Sequence, residues 1–417
     1  MKAVGIVSEY NPFHKGHEWH IAETKKALGK PIIAMMSGNF VQRGDFAIMR
    51  KHARAEAAVR GGADLVLELP SAQALLSAEG FAEAAVGALA ATGVVDTISY
   101  GSECGNTAPL REIAAALLSP DFDTALQQEL PRGEVFARAR QNALASILGD
   151  EKAALLSEPN NILGVEYEKV CLTRGLDSFT ISRIGAAHDG ETKDGIASAS
   201  RIRECIAAGE DVTDFTTDAS AAILNAEREK GFAPACLSLA ERAILAKLRS
   251  MSEEDFVPYD EGREGLHRRF AASAAESSSV AELLQRVKTK RYPLARLRRM
   301  LMRIYLELDH YDSNVPYLRV LACSEAGRAL LKEMKTTSSL PVITKPAEGR
   351  NLDGAAREAF VAECRCTDLY ALACPAVMPA GSDWIKKPII LLRRIFHEKT
   401  VCFTACPEST HPCRLRK

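Results

Sequence analysis

Two histidines three positions apart, His14 and His17, flank Gly16 just beyond an apolar run, Ala3–Val7, near the start of the chain. The run reads as a buried strand, and the second histidine opens a helix, so the pair stands in a strand-to-helix loop. Free N–H groups and the dipole at such a helix start favour an anion, and Gly16 lets backbone approach a phosphate closely. Two imidazoles there can donate hydrogen bonds to non-bridging oxygens of one phosphate as charge builds during a displacement. Asn11-Pro12 supplies the turn that lifts the loop out of the sheet. The same residues have a structural use as well, as histidines that cap and solvate a turn. His20, one helical turn on, is a ligand contact or an amphipathic-face residue.

The elements that must hold this loop follow from hydrophobic periodicity. Up to about residue 210, short β-prone runs (Ala3–Val7, Pro31–Met36, Asp64–Leu69, Val94–Tyr100, Ser178–Ile184) alternate with helical stretches (His17–Leu28, Lys51–Arg60, Ala78–Ala91, Asn161–Arg174, Ser200–Ala208) and a helix-rich segment, Arg111–Leu148. Strands separated by helices of this length predict βαβ units, a Rossmann-like parallel sheet covered on both faces, and ligands beyond the strands' carboxyl ends. The polar, acidic segment Gly209–Ser220 reads as a hinge. After it, Leu237–Arg249, Val280–Val287, Leu294–Glu307 and Glu325–Lys335 look helical, with few strand runs before Pro388–Leu392. The expectation is an α/β domain at 1–210 followed by a mostly α-helical domain at 221–417.

Composition removes several classes of function. The chain has 417 residues, 47% hydrophobic and 26% charged, which excludes disorder over most of its length. No apolar run reaches the roughly 18 residues of a membrane span, and the start lacks a signal peptide's cleavage site, so a cytoplasmic protein with no membrane partner is expected. With 53 basic and 54 acidic residues the whole chain is no general polyanion binder. Eleven cysteines without a C-x-x-C read as free thiols. His397, Cys402, Cys406, His411 and Cys413 fit no standard zinc module, so no metal site is assigned.

One stretch departs from the neutral mean. Residues 286–303 (RVKTKRYPLARLRRMLMR) hold eight Lys/Arg and no acid. Leu294, Leu297, Met300, Leu301 and Ile304 recur at helical spacing, so one face packs while the other is cationic. A solvated helix face is the ordinary use of such a run. In a nearly neutral protein it also suits an RNA backbone, with Lys288, Lys290, Arg291, Arg298 and Arg299 as the contacts. Tyr292 could stack on a base, and Arg263, Arg268 and Arg269 could extend the patch.

His14-x-Gly16-His17 resembles the H-x-G-H signature of the nucleotidylyltransferase superfamily. The superfamily's second element, S-S-T-x-x-R at a helix start, has its counterpart in Ser198-Ala-Ser200-Arg-Ile-Arg203, with Ala199 and Ser200 departing from the pattern. Ser198 and Ser200 can cap that helix and touch phosphate, and Arg203 can neutralise β- and γ-phosphate charge. Longer stretches are similar to the tRNA(Met) cytidine acetate ligase family: residues 37–44 (SGNFVQRG), 62–70 (GADLVLELP), 100–103 (YGSE), 159–167 (PNNILGVEY), 261–266 (EGREGL) and 288–292 (KTKRY).

That resemblance implies an ATP-dependent ligase. Acetate attacks the α-phosphate of ATP to give acetyl-adenylate, and the N4 amine of the wobble cytidine of elongator tRNA(Met) then takes the acetyl group. Carried over by position, it implies a nucleotide site of Val7, Ser8, Glu9, Tyr10, Asn11, Pro12, Phe13, His14, Lys15, Gly16, His17, Glu18, Trp19 and His20, with Gly101, Asn161 and Arg183. From the residues alone, Asn161 can meet a base edge or cap its helix, and Arg183 can pair with phosphate or form a surface ion pair. Asp64 and Glu68, carboxylates on a strand, read as a core-edge ion pair. Magnesium is expected with the triphosphate, without a nameable protein ligand. Two other readings are carried: a nucleotidylyltransferase making a small activated metabolite, and a non-catalytic RNA-binding protein. The sequence leaves the oligomeric state open.

Overall fold

The computed structural model describes residues 2–132, 135–182, 197–262 and 264–391. At its centre lies a sheet containing β1 (Ala3–Ser8) and β2 (Ile32–Ser37). A short antiparallel hairpin follows, β3 (Phe40–Val41) with β4 (Asp45–Phe46). The sheet continues with β5 (Leu65–Leu69), β6 (Val95–Ser102), β7 (Asp177–Ser182), β8 (Leu318–Ser324), β9 (Val342–Ile343) and β10 (Ile389–Leu391). Its order is β10-β8-β5-β2-β1-β6-β7, with β9 added to β8. All pairings are parallel except β5 with β8. The α/β fold read from the periodicity is present, and β1, β2 and β5 occupy its middle.

Alternation within those strands feeds two cores. Ile33, Met35, Leu65, Leu67 and Leu69 face the helices Ala78–Ala91 and Pro159–Arg174, meeting Phe81, Ala85, Leu89 and Val165. Ile32, Ala34, Met36 and Val66 face the other way, onto Ile21, Ala55 and Ala58 of helices Lys15–Leu28 and Lys51–Arg60. Burial on both faces explains why these strands read as continuous apolar runs.

Beyond residue 236 the chain is mostly helical. Leu237–Arg249, Leu266–Glu276, Val280–Val287, Leu294–Leu306 and Gly354–Tyr370 enclose a further core around Phe256, Phe270, Leu297, Leu301 and Ile304. Phe40 and Phe46 of the β3–β4 hairpin belong to that core, with ring centroids 6.0 Å from Tyr370 and 6.2 Å from Tyr305 respectively. The hairpin thus plugs the sheet into the helical region.

Two features differ from the sequence expectation. The sheet does not stop near residue 210, because β8, β9 and β10 come from the second half and pair beyond β5. β8 escaped detection because Arg319 interrupts its apolar pattern. Inside the fold Arg319 is 2% exposed and bonded through Nη1 to Glu68 (3.3 Å) and Asp383 (2.9 Å). The segment Gly209–Ser220, read as a hinge, is packed against the H-x-G-H loop. The Phe215 carbonyl accepts from the Lys15 N–H (3.1 Å), and Ser220 Oγ donates to the Phe13 carbonyl (2.7 Å). Thr216 and Ser220 are each 1% exposed.

The two halves are also joined by a buried ionic cluster. The Lys51 ammonium lies 2.5 Å from Glu68, 2.5 Å from Asp383 and 3.3 Å from Glu363. Burial works against that charge, yet the three carboxylates raise the Lys51 pKa above its ordinary value. Burial, aided by Glu68 and Asp383 against Lys51, pushes Glu363 up to about 8. Burial opposes the Asp383 carboxylate too, but Lys51 and Arg319 hold it well below the usual range. Glu68 thus forms the ion pair expected of it, as does Asp64, 2.7 Å from Lys25.

Candidate nucleotide-binding and RNA-binding site

β1 ends at Ser8, and helix Lys15–Leu28 begins directly after His14. Between them Tyr10 takes φ 45°, a left-handed conformation that costs a non-glycine residue of the order of 1–3 kcal/mol and needs support from its surroundings. Arg54 supplies that support. Fully buried on helix Lys51–Arg60, it donates to the carbonyls of Glu9, Ser37, Gly38 and Met49. One guanidinium therefore ties together the carboxyl ends of β1 and β2. Burial lowers its pKa to about 10, opposed by Tyr370, Glu9 and Glu68, so it is charged at neutral pH.

The histidines form a reciprocal cap. His14 Nδ1 accepts from the Gly16 N–H (3.1 Å), and His17 Nδ1 accepts from the His14 N–H (3.3 Å). The rings stack with centroids 3.7 Å apart and planes 26° from parallel. An Nδ1 that accepts carries no proton, so each neutral imidazole holds its proton on Nε2. Tyr10 and Phe13 pack against His17 at 4.9 and 5.7 Å and fix its ring. Capping and phosphate binding are thereby compatible, because the cap uses Nδ1 and leaves the ring proton on the far nitrogen. Glu18 is exposed and Trp19 half-buried on the first turn, while His20 Nε2 lies 2.9 Å from Ser99 Oγ on β6.

The remaining described residues converge on this carboxyl edge. Ile6 of β1 faces Ser99, and Gly101 lies two positions beyond it along β6. Asn161 is 1% exposed and its Oδ1 accepts from the N–H groups of Glu103 (3.0 Å) and Cys104 (3.2 Å), fastening the loop after β6. In return the Glu103 carboxylate accepts from the Asn161 N–H at 2.7 Å. Ser198 caps helix Ala199–Ala207, and Ser200 Oγ accepts from Arg203 Nη2 at 3.0 Å. Arg203 Nη1 donates to the Asn11 carbonyl (2.9 Å), which brings the second element onto the H-x-G-H loop. Arg183 lies outside the described residues.

Sequence reasoning missed the β3–β4 hairpin. The Gln42 N–H donates to the Glu9 carboxylate (2.8 Å). Gly44, at φ +76°, sits so close to helix Leu294–Leu306 that a Cβ would lie 2.4 Å from the Arg298 carbon and the Arg299 nitrogen. Burial raises the Asp45 pKa, with Arg298 and Arg203 pulling against it, so one carboxylate faces a cation from each half of the chain. Its signal in the sequence is the stretch 37–44, one of those that carry the family resemblance. Arg54, one of two arginines in an Ala-rich helix, carried no local signal.

The basic run divides in three dimensions. Lys288, Lys290 and Arg291 are exposed, Arg298 and Arg299 half-buried. Arg291 pairs with Glu264 (3.1 Å), Arg296 with the same carboxylate (3.5 Å), and Arg286 with Glu276 (2.8 Å) and Glu282 (3.0 Å). Tyr292 is 8% exposed and its hydroxyl donates to the Glu264 carbonyl, so its ring is no stacking platform. Arg268 pairs with Glu253, Arg269 is held by the carbonyls of Arg286 and Val287, and Arg263 lies outside the described residues.

Among the described residues, one group of three carboxylates has ligating geometry: Glu68, Glu363 and Asp383. The Lys51 ammonium and the Arg319 guanidinium already sit on these carboxylates, so the group does not fit a divalent cation. The eight described cysteines are free thiols, and the cysteine-containing tail lies outside the described residues. No described helix is long and apolar enough to cross a membrane.

Residues 1–382 match the model of the HIGH Nucleotidyl Transferase family. The tRNA(Met) cytidine acetate ligase of Fervidobacterium nodosum is 37% identical over 366 residues, covering 84% of this chain and 86% of that protein. The enzyme of the same name from Syntrophomonas wolfei is 36% identical over 414 residues, covering 93% and 99%. Thermotoga maritima TmcAL bound with alpha-thio ATP superposes with a TM-score of 0.87 at 32% identity, covering 94% of this chain and 100% of that one.

Proposed function

We infer the function from the premise that this chain belongs to the tRNA(Met) cytidine acetate ligase family of HIGH nucleotidyl transferases. It is an ATP-dependent ligase that joins acetate to a cytidine of tRNA(Met). The proposed course has two steps. An acetate oxygen attacks the α-phosphorus of ATP, an acetyl–phosphate bond forms, and pyrophosphate leaves with the electron pair of the broken P–O bond. The N4 amine of the wobble cytidine of elongator tRNA(Met) then attacks the acetyl carbon, AMP leaves, and the amine loses a proton.

The observation that carries this reading is the paired-imidazole cap. His14 and His17 direct Nδ1 to the backbone and keep the proton on Nε2, giving two neutral donors for the charge that accumulates at phosphorus. Arg203, held on the Asn11 carbonyl beside them, neutralises the departing pyrophosphate, with Ser198 and Ser200 at its helix start. Val7 to His20, Gly101, Asn161 and Arg183 form the nucleotide site in this reading. Asn161 contributes chiefly by fixing the loop after β6, because its Oδ1 is committed there. Lys288, Lys290, Arg291, Arg298 and Arg299 meet the tRNA backbone, the last two beside the hairpin that touches Glu9. Magnesium would enter with the triphosphate; the described carboxylates offer no set of ligands for it, and no step here passes through a metal. A cytoplasmic location suits the substrates.

Nucleoside mass spectrometry of tRNA treated with the protein, ATP and acetate tests the reading. N4-acetylcytidine should form in elongator tRNA(Met) and require all three. Pyrophosphate exchange driven by an alcohol phosphate in place of acetate would favour a metabolite nucleotidylyltransferase instead.

A further inference from the structure

A cavity of about 560 Å³ opens away from the H-x-G-H loop, on the far side of helix Asp218–Glu229. That volume falls in the roughly 300–1,000 Å³ range of small-molecule sites. The helix turns Ser220 toward Phe13 of the loop, while Ala222, Ile223 and Ala226 line the cavity. Helix Lys51–Arg60 forms the facing wall, and Ile385 and Ile389 add apolar surface. None of residues 7–20 takes part.

Polar groups on the wall give this space a chemistry. His52 is 7% exposed and its Nε2 has no hydrogen-bond partner, an unmet demand inside the protein. Burial, with Arg319 and Lys51 close by and Asp383 opposing, drives its pKa well below the usual histidine value, so its ring is neutral and adds an uncharged aromatic edge to the wall, with Nε2 itself enclosed by protein. Arg60 and Arg50 on the same wall are paired with Glu56 and Glu227. Lys230 and Lys386 are exposed lining residues with no carboxylate within ion-pair distance among the described residues. Aliphatic walls, one uncharged imidazole and two unpaired ammonium groups together match a flat heterocycle joined to a phosphate.

We propose that this cavity is a second nucleotide site, holding one nucleoside monophosphate unit with its base between the aliphatic walls against His52 and its phosphate at Lys230 and Lys386. The unit is either a free mononucleotide or an unpaired nucleotide of an RNA chain; only the second source rests on the tRNA reading above.

Equilibrium dialysis of the full chain with labelled AMP and CMP, the H-x-G-H site being saturated with a non-hydrolysable ATP analogue, separates these sources. For a free nucleotide, one equivalent binds despite the analogue, and affinity falls at least tenfold in Ala222→Trp and in Lys230→Glu/Lys386→Glu. For an RNA nucleotide, neither mononucleotide binds, but both variants weaken tRNA binding at least tenfold while acetate-dependent pyrophosphate exchange is unchanged. Complete displacement of AMP and CMP by the analogue, with tRNA affinity unchanged in both variants, overturns the proposal, as does any ligand binding indifferent to both variants. The substitutions are at exposed positions, and unchanged thermal midpoints would show that the fold is intact. Absence of acetate-dependent exchange in the wild type would defeat the ligase reading and leave the mononucleotide arm standing.

Discussion

The hydrogen bonds of the His14–His17 cap span at most three residues, whereas Lys51 reaches Asp383 across 332 positions. Both regions put polar groups at low exposure, yet they solve different problems. The histidine pair satisfies the open N–H groups of a helix start, a demand that arises wherever a helix begins. The lysine cluster neutralises charges that folding itself has buried, and it exists only once the second half of the chain has folded back onto β5. Chemistry here is local and its support is remote. The mouth can be recognised from a few residues, but its alignment depends on Arg54, on the Phe215 and Ser220 contacts, and on the sheet edge that the cluster locks.

If that division is right, the strongest effect on turnover should come from the smallest local change. His14→Ala removes one of the two proposed phosphate donors and is expected to reduce acetate-dependent pyrophosphate exchange about 10²–10³-fold, at a cost of about 1 kcal/mol in stability from the lost cap. Exchange within tenfold of wild type would show that the histidines only cap. Lys51→Met reverses the pattern. Leaving Glu68 and Asp383 with Arg319 alone should destabilise the protein by about 3–5 kcal/mol in denaturant unfolding. A loss under 1 kcal/mol would mean that the cluster does not fasten the two halves.

Between these extremes lies the basic helix. Arg298→Glu with Arg299→Glu is expected to weaken tRNA binding more than tenfold and to lower its salt dependence, with acetyl-adenylate formation preserved. Because Asp45 faces both Arg298 and Arg203, a parallel fall in ATP use would instead show that the two sites are coupled through the hairpin.

Acid–base behaviour sharpens the comparison further. The Glu363 pKa is raised to about 8 in the fold, above the ordinary carboxyl value, so the native state binds the extra proton. That contribution is fully present below the unfolded pKa and is lost as pH rises through about 8. Stability should therefore decline from about pH 5 to 8, by at most roughly 1.4 kcal/mol per unit, and Glu363→Gln should flatten the slope. The smallest effect is expected from Arg291→Ala. It breaks an exposed pair with Glu264 and should change unfolding free energy by less than about 1 kcal/mol.

Much of the sheet and the loop was legible because their signals are short in range. Lys51–Arg60 and Ala78–Ala91 have the helix limits expected from periodicity, and the strand before His14 ends one residue later than its apolar run. β8 and helices Asp218–Glu229 and Gly354–Tyr370 were not read. β8 carries a charge whose partners lie on other elements, and a buried arginine looks like a surface residue until Glu68 and Asp383 are placed beside it. The run 286–303 misled in the opposite sense. It is acid-free along the chain, yet Glu264, Glu276 and Glu282 meet three of its arginines in space.

The sequence by itself determined the alternation of strands and helices, the imidazole pair after the first strand and the family to which these belong. Each depends on interactions spanning a few residues, which chain order encodes directly. Only the tertiary structure decided that strands from the second half complete the sheet, that Arg54 and Arg203 converge on one loop, and which cations of the basic run stay unpaired. Those outcomes depend on desolvation and on charges meeting across the fold, where separation along the chain carries no information about distance.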